Sequence, residues 1–208
     1  LTRHIAMRYA GKGIRANCRA EILHNGAITA ESTGQLQFTE YGLSGPVIFE
    51  ISRDVCQGGG DWKCRLDLLP EVSADDLRGE LTRRRESNLP VLELLTGILH
   101  NRLGRVLTQS AGLTLNAFVR DLSDWEIGQA VSAVKALEVS LKEPMGMDSA
   151  QVTAGGIVTA DFDANTMESR LVPGLYACGE VLDVDGDCGG YNLQWAWASG
   201  YTAGRLGK

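Results

Sequence analysis

The sequence has no Cys-x-x-Cys pair, few histidines, no surplus of positive charge and no long apolar run. Its five cysteines (Cys18, Cys56, Cys64, Cys178 and Cys188) are odd in number and widely spaced. That pattern is neither a disulfide framework nor a zinc knuckle, and it points to a reducing, cytoplasmic setting. The three histidines, His4, His24 and His100, are scattered, which gives a histidine-built metal site little support. With 20 basic against 26 acidic side chains, the net charge is −6. An acidic chain grips phosphate backbones poorly, so nucleic acid is not the expected partner. Nowhere do about 18 apolar residues run together, so no membrane span or membrane partner is expected. No signal-peptide pattern opens the chain, which starts at Leu1 rather than at a methionine. The expectation is a piece of something longer.

What is present is glycine, 25 of 208 residues, beside 44% hydrophobic and 22% charged side chains. Those are globular proportions. The first 70 residues read as β-structure. From Ile14 to Phe38 the pattern broadly alternates, and Asn25-Gly26 sits between two apolar arms, a strong type I′ hairpin signal. Pro46 is placed to open a helix, Gly58 to Gly60 to form a loop, and WKCRLDLLP to form a short strand ended by Pro70. Residues 71–145 read as helical. Ser73 with Asp76 caps one helix to about Arg85, a second spans about Pro90 to Ser110, and a third starts at Ser123 with Glu126 three residues on. The triple Arg83-Arg84-Arg85 is expected to be a solvated face at a helix end.

Around residues 143–151 the composition shifts. Ten of the 25 glycines fall in the last 60 residues. Three pieces stand out there: TAGGIVT (153–159), LVPGLYACGEVLDVDG (171–186) and DCGGYNLQWAWASGYTAG (187–204). Leu175 to Cys178 is predicted as a short buried strand with Gly179 and Glu180 at its carboxyl end. Ligands collect there in open α/β sheets, and a carboxylate there can accept from a sugar-like hydroxyl. Gly189-Gly190 is predicted to open a helix whose first N–H groups, over Gly190 to Leu193, favour anions or carbonyl oxygens. Ala196, Gly200 and Gly204 give that helix a face of small residues. Trp195 and Trp197 point in different directions, both toward packing roles.

Other site readings fail on spacing. Asp183, Asp185 and Asp187 match the start of an EF-hand loop, but Cys188 and Gln194 stand where that loop needs Gly and Glu. Gly11-Lys12-Gly13-Ile14-Arg15-Ala16 is formally G-x-G-x-x-A, yet it leads into a hairpin strand instead of a helix. Cys178 and Cys188 have no histidine near them in sequence and are expected to be packed small residues rather than nucleophiles.

TAGG, GLYACGEVLDVDG and GGYNLQWAWASGYTAG together resemble the C-terminal signature of the HI0933-like bacterial flavoproteins. These are NAD(P)/FAD-dependent oxidoreductases whose members include aminoacetone oxidases and reductases of unsaturated bile-acid intermediates. FTEYGLSGPVIFEISR (38–53) resembles the family's insert region. The resemblance is strong over 150–204 and looser over 14–140. It implies an α+β chain: a β-rich (1–70) and helical (71–145) insert domain, then the C-terminal part of an α/β, Rossmann-like FAD-binding domain (146–208). The dinucleotide-binding N-terminal half of the family is missing and would be the chain's partner, beside a small-molecule substrate. It further implies that FAD is the cofactor, with NAD(P)H as electron donor. Gly179 and Glu180 would meet ribityl or ribose hydroxyls. Gly189, Gly190, Tyr191, Asn192 and Leu193 would bring helix N–H groups to the flavin's pyrimidine carbonyl. Gly155 and Gly156 would let backbone pass close to the isoalloxazine ring. No residue is marked as a general acid or base. A non-enzymatic interaction or regulatory module descended from such an enzyme is the alternative.

Overall fold

The computed structural model describes residues 12–56, 60–142 and 146–205. The loop expected at Gly58 and Gly59, the Gly11 end of the G-x-G-x-x-A spacing and part of the 143–151 boundary lie outside the described residues. The chain divides into two compact units, Leu1–Pro144 and Met145–Lys208, each described here by itself.

In the first unit, β1 (Arg15–His24) and β2 (Ala27–Phe38) form the expected hairpin. Asn25 and Gly26 have φ of 51° and 86°, the two positive values a type I′ turn requires. With β3 (Leu43–Ser44), β4 (Trp62–Asp67) and β5 (Leu137–Leu141) they make an antiparallel sheet of order β3-β2-β1-β4-β5. Side chains alternate across it. Cys18, Ala20 and Ile22 of β1, Leu36 and Phe38 of β2, Cys64 and Leu66 of β4 and Val139 of β5 are all buried. They share one core with Val47 and Ile51 of α1 (Pro46–Ile51), Val55 of α2 (Arg53–Cys56) and Leu77 and Leu81 of α3 (Ala74–Arg83). Leu103 and Leu107 of α4 (Asn101–Ser110), with Ile127, Val131 and Val134 of α5 (Asp124–Lys135), complete it. The opposite sheet face carries charges in pairs: Arg19 with Glu31 (2.6 Å), Arg65 with Glu21 (2.8 Å) and Lys63 with Glu138 (3.3 Å).

Local signals set the helix starts. Ser73 accepts from the Asp76 amide (3.0 Å), and Ser123 and Glu126 form a complete capping box. Pro46 sits in the first turn of α1. The helix expected over Pro90 to Ser110 is shorter than its periodicity suggests. Only a 3-10 turn at Val91–Glu93 and then α4 are helical. The Arg84 guanidinium donates to the carbonyls of Leu94 (2.9 Å) and Thr96 (2.8 Å), groups that a continuous helix would use itself. Gly97 then turns the chain at φ 80°. The same bonds correct the reading of the arginine triple. Arg83 is solvated, but Arg84 holds this turn, and Arg85 pairs with Asp124 (2.7 Å) while its Nε and Nη2 are buried without partners.

The second unit contains helix α6 (Tyr191–Gly204), 3-10 turns at Met147–Ser149, Thr159–Asp161 and Gly179–Val181, and isolated bridges. Among its described residues there is no strand of two or more residues. The strand predicted over Leu175 to Cys178 is therefore not formed. Tyr176 makes a single antiparallel bridge to Glu168, and Leu175 and Cys178 are exposed. The 167–169 segment alongside exchanges only two backbone bonds with it, Ser169 N to Leu175 O (2.7 Å) and Ala177 N to Met167 O (3.2 Å), so the pairing stays a single bridge. The core is correspondingly small: Phe162, Met167, Leu182 and Ala203, backed by Tyr176, Ala177, Val184 and Trp195. Among the described residues, no helix is long and apolar enough to cross a membrane.

Candidate functional site

In the second unit the 178–179 turn packs on α6, and the 153–157 piece packs in turn on 180–183. The N-cap of α6 is Gly190, in the left-handed region at φ 93°, after Gly189 at 133°. Both values explain the glycines, since a Cβ is strained there. The Gln194 amide donates to the Gly190 carbonyl (2.9 Å), which starts the helix. No side chain caps it. The N–H groups of Tyr191, Asn192 and Leu193 therefore point out of the helix end without intrahelical acceptors. Asn192 has a second task. Its Oδ1 accepts from the Gly186 amide (2.8 Å) and its Nδ2 donates to the Gly186 carbonyl (2.9 Å), closing the 186–192 loop. Tyr191 and Leu193 are exposed.

Gly179 is held by α6 at both backbone groups. Its N–H donates to Ser199 Oγ (2.9 Å), and its carbonyl accepts from Trp195 Nε1 (3.1 Å). Its φ is 72°, and a Cβ there would lie 3.6 Å from Ala196 Cβ. A Cβ on Gly200 would sit 3.8 Å from Cys178 Sγ. The small face of α6 thus packs against the 178–179 turn. Glu180, next along, is exposed, and its Oε1 accepts from the Thr153 amide (2.7 Å). That bond brings the 153–156 piece to the carboxylate.

The two glycines of TAGG differ. At Gly155, φ is 96° and a Cβ would meet nothing within 4 Å. At Gly156 a Cβ would lie 2.8 Å from Val181 O, Leu182 C and Asp183 N. Backbone crosses backbone there, and the crossing is tied by Ile157 N to Val181 O (2.8 Å) and Asp183 N to Ile157 O (2.9 Å). Gly156 thus serves the approach of two segments of this chain, while Gly155 leaves open backbone.

Sequence reasoning missed Ser199, Thr153 and Gly186 as parts of this arrangement, and gave Trp195 a packing role without its bond to Gly179. The spacing of Trp195, Ser199 and Ala203 was the available signal, since residues four apart line one helix face. Cys178 and Cys188 are exposed rather than packed. Nearby, the amides of Asn165 and Thr166 and the Arg170 guanidinium, the Asn165 amide foremost, hold the Asp163 carboxyl below its ordinary range. Partial desolvation and then the Glu168 carboxylate push the Tyr176 phenol up. Among the described residues, no cluster of three His, Cys, Asp or Glu side chains is placed to hold a metal ion.

An uncapped, glycine-led helix end is a feature of dinucleotide-binding α/β domains. Comparison with known proteins specifies the class. The family model described as "HI0933-like protein Rossmann domain" matches residues 16–206. The chain belongs to this HI0933-like family. It is 38% identical over 198 residues to the 3-dehydro-bile acid delta(4,6)-reductase of Clostridium scindens, covering 93% of this chain and 48% of that protein. It is 35% identical to the ribosomal RNA dihydrouridine synthase of Escherichia coli, covering 86% of this chain and 42% of that one. Its identity to the Haemophilus influenzae protein of the same name is 33%, at 81% and 41% coverage. The chain spans less than half the length of these relatives.

Proposed function

We propose that this chain forms part of an FAD-dependent oxidoreductase: an insert domain (1–145) on the substrate side, and the C-terminal portion of the FAD-binding domain (146–208). The observation that carries the reading is α6, uncapped at its N-terminus and joined along its length to the 178–180 turn through Trp195 and Ser199. FAD fits this arrangement. The outward N–H groups of Tyr191, Asn192 and Leu193 would hold its pyrimidine carbonyl, and the helix end would favour negative charge there. The FAD hydroxyls would meet the exposed Glu180 carboxylate, while Gly179, buried and held at both backbone groups by α6, would fix that turn. The backbone is uncovered at Gly155 and Gly190, where a Cβ would meet no neighbour. Gly156 belongs to the supporting crossing rather than to direct contact. When bound, the flavin supplies the hydride and electron chemistry, and the chain orients it.

In this reading the other half of the flavin site comes from a dinucleotide-binding half-domain, as the greater length of the relatives supports. The substrate is a small molecule. Reduced NAD(P) as electron donor rests on the family resemblance alone. An RNA substrate is a second reading, favoured by the printed names of two relatives. The net charge of −6 and the ion-paired cations of the sheet face weigh against it.

The test joins this chain to the dinucleotide-binding half and replaces Gly190 with Val. A β-branched side chain at φ 93° both strains the cap and fills the uncovered space. FAD content measured from the flavin absorption band of the purified protein should fall at least tenfold. Unchanged FAD content refutes the site.

A further inference from the structure

The sheet of the first unit has a gap in its middle. β1 pairs with β2 from Arg15 onward, but with β4 only from Arg19, opposite Asp67. Past Asp67 the chain leaves the sheet. Asp67 Oδ1 accepts from the Leu69 amide (3.0 Å), the Leu68 amide donates to the Val134 carbonyl (2.9 Å), and Lys135 Nζ donates to the Leu69 carbonyl (2.9 Å). Pro70, next in the turn, has no amide to give a ladder. Among the described residues, Arg15 to Cys18 therefore have no strand beside them on the β4 side. The Phe38 amide donates to the Ile14 carbonyl (2.9 Å), so Ile14 faces β2. Backbone groups of successive strand residues turn to opposite sides, which aims the N–H and C=O of Arg15 and Asn17 into the gap.

The gap is a groove of about 440 Å³. Ala16, Leu68, Leu69, Ile98, Leu99 and Leu103 give it an apolar floor continuous with the core. Arg15 stands at its rim, on the outer sheet face. Arg19 and Arg65, further along that face, are each matched to a glutamate, whereas Arg15 makes no ion pair among the described residues. A row of free strand backbone is complemented by another strand, whose donors and acceptors alternate in the same way. We propose that this groove takes an extended peptide segment of a partner protein, which adds a short strand beside Arg15 to Cys18 in line with β4. Four residues of β1 give it roughly 13 Å of ladder. Alternation then sets the peptide's chemistry: apolar side chains on the core face, against Ala16, Ile98 and Leu99, and an acidic side chain on the outer face beside Arg15. Every residue used lies in the first unit, so the inference stands or falls apart from the flavin reading.

The probe is a fluorescein-labelled Val-Glu-Val-Glu-Val amide, and the readout is its fluorescence anisotropy on titration with the 208-residue chain. Saturable binding is expected. Two further peptides carry N-methyl groups on alternate residues, one for each of the two possible sets of amides. One of them should bind at least ~10-fold more weakly than the other, because only one set faces β1. Asn17→Pro removes an amide that points into the groove and spares the β2 pairing, so binding should fall at least ~10-fold while the far-ultraviolet spectrum is kept. Arg15→Glu should reverse the preference, toward a Val-Lys-Val-Lys-Val amide. The methylated pair needs no variant and decides the question even where Asn17→Pro does not fold. No binding by the wild-type chain overturns the proposal, as does an equal loss from both methylated peptides or an Arg15→Glu chain that keeps its preference for the glutamate peptide. A dimer of this chain that Asn17→Pro disperses, with no peptide bound, assigns the groove to a second copy and overturns it too.

Discussion

Ser199 connects the candidate site to the helix that builds it, and Ser199→Ala measures that connection. The residue is 2% exposed, and its Oγ is the acceptor for the buried Gly179 N–H. The substitution takes that acceptor away without adding volume. A buried donor left unpaired costs about 1–3 kcal/mol. Alanine returns about 0.5 kcal/mol through its higher helix propensity. The Trp195 carbonyl, to which Ser199 Oγ donates at 2.6 Å, keeps its place in the helix ladder, so no further loss falls there. The net cost is about 0.5–2.5 kcal/mol, a roughly twofold to seventyfold change in the opening equilibrium of the 178–180 turn. The assay is hydrogen exchange of the peptide covering residues 176–182, which should quicken by that factor while peptides from β1 and β4 keep their rates. Ser199→Cys, which retains a weaker acceptor, should fall between the two. An alanine variant with unchanged or slower exchange at Gly179 would show that Ser199 does not hold the turn.

Gly156→Ala should disrupt the Ile157–Leu182 bridge, because the new methyl would stand 2.8 Å from three backbone atoms. Gly155→Ala should cost only the strain of its positive φ, about 1–2 kcal/mol, and thermal unfolding separates the two. Native thiol titration should find Cys56, Cys178 and Cys188 reactive and Cys18 and Cys64 protected. Burial pushes the latter two thiols up from 9.0 to about 12. A raised acid favours the folded state below the unfolded value, and that stability is lost as pH rises through the folded one. Unfolding free energy should therefore decline between about pH 9 and 12, and Cys18→Ala/Cys64→Ala should flatten the decline. RNA retention by the chain should be weak and disappear with moderate salt, whereas sequence-selective retention at physiological salt would favour the RNA reading.

Much of the first unit was legible because its signals are local. The Asn25-Gly26 turn, the Ser73 and Ser123 caps and the two-residue alternation of β1 each act within a few residues. The Pro90–Ser110 stretch was not legible, since Arg84, six residues before it, takes the carbonyls of Leu94 and Thr96. In the second unit, Gly189 and Gly190 were readable as a helix start, whereas Gly156 looked like a ligand-facing glycine and turned out to support a backbone crossing. Leu175 to Cys178 has strand composition but no sheet to join. Composition records what a segment suits, and pairing depends on neighbours distant in sequence.

The most direct measurement is an FAD titration followed by flavin fluorescence, run on this chain alone and on its complex with the dinucleotide-binding half. The expected result is weak or no binding by the chain alone and saturable binding by the complex, reduced at least tenfold by Gly190→Val. Tight binding by the chain alone, or none by the complex, would contradict the claim that these residues complete a shared flavin site.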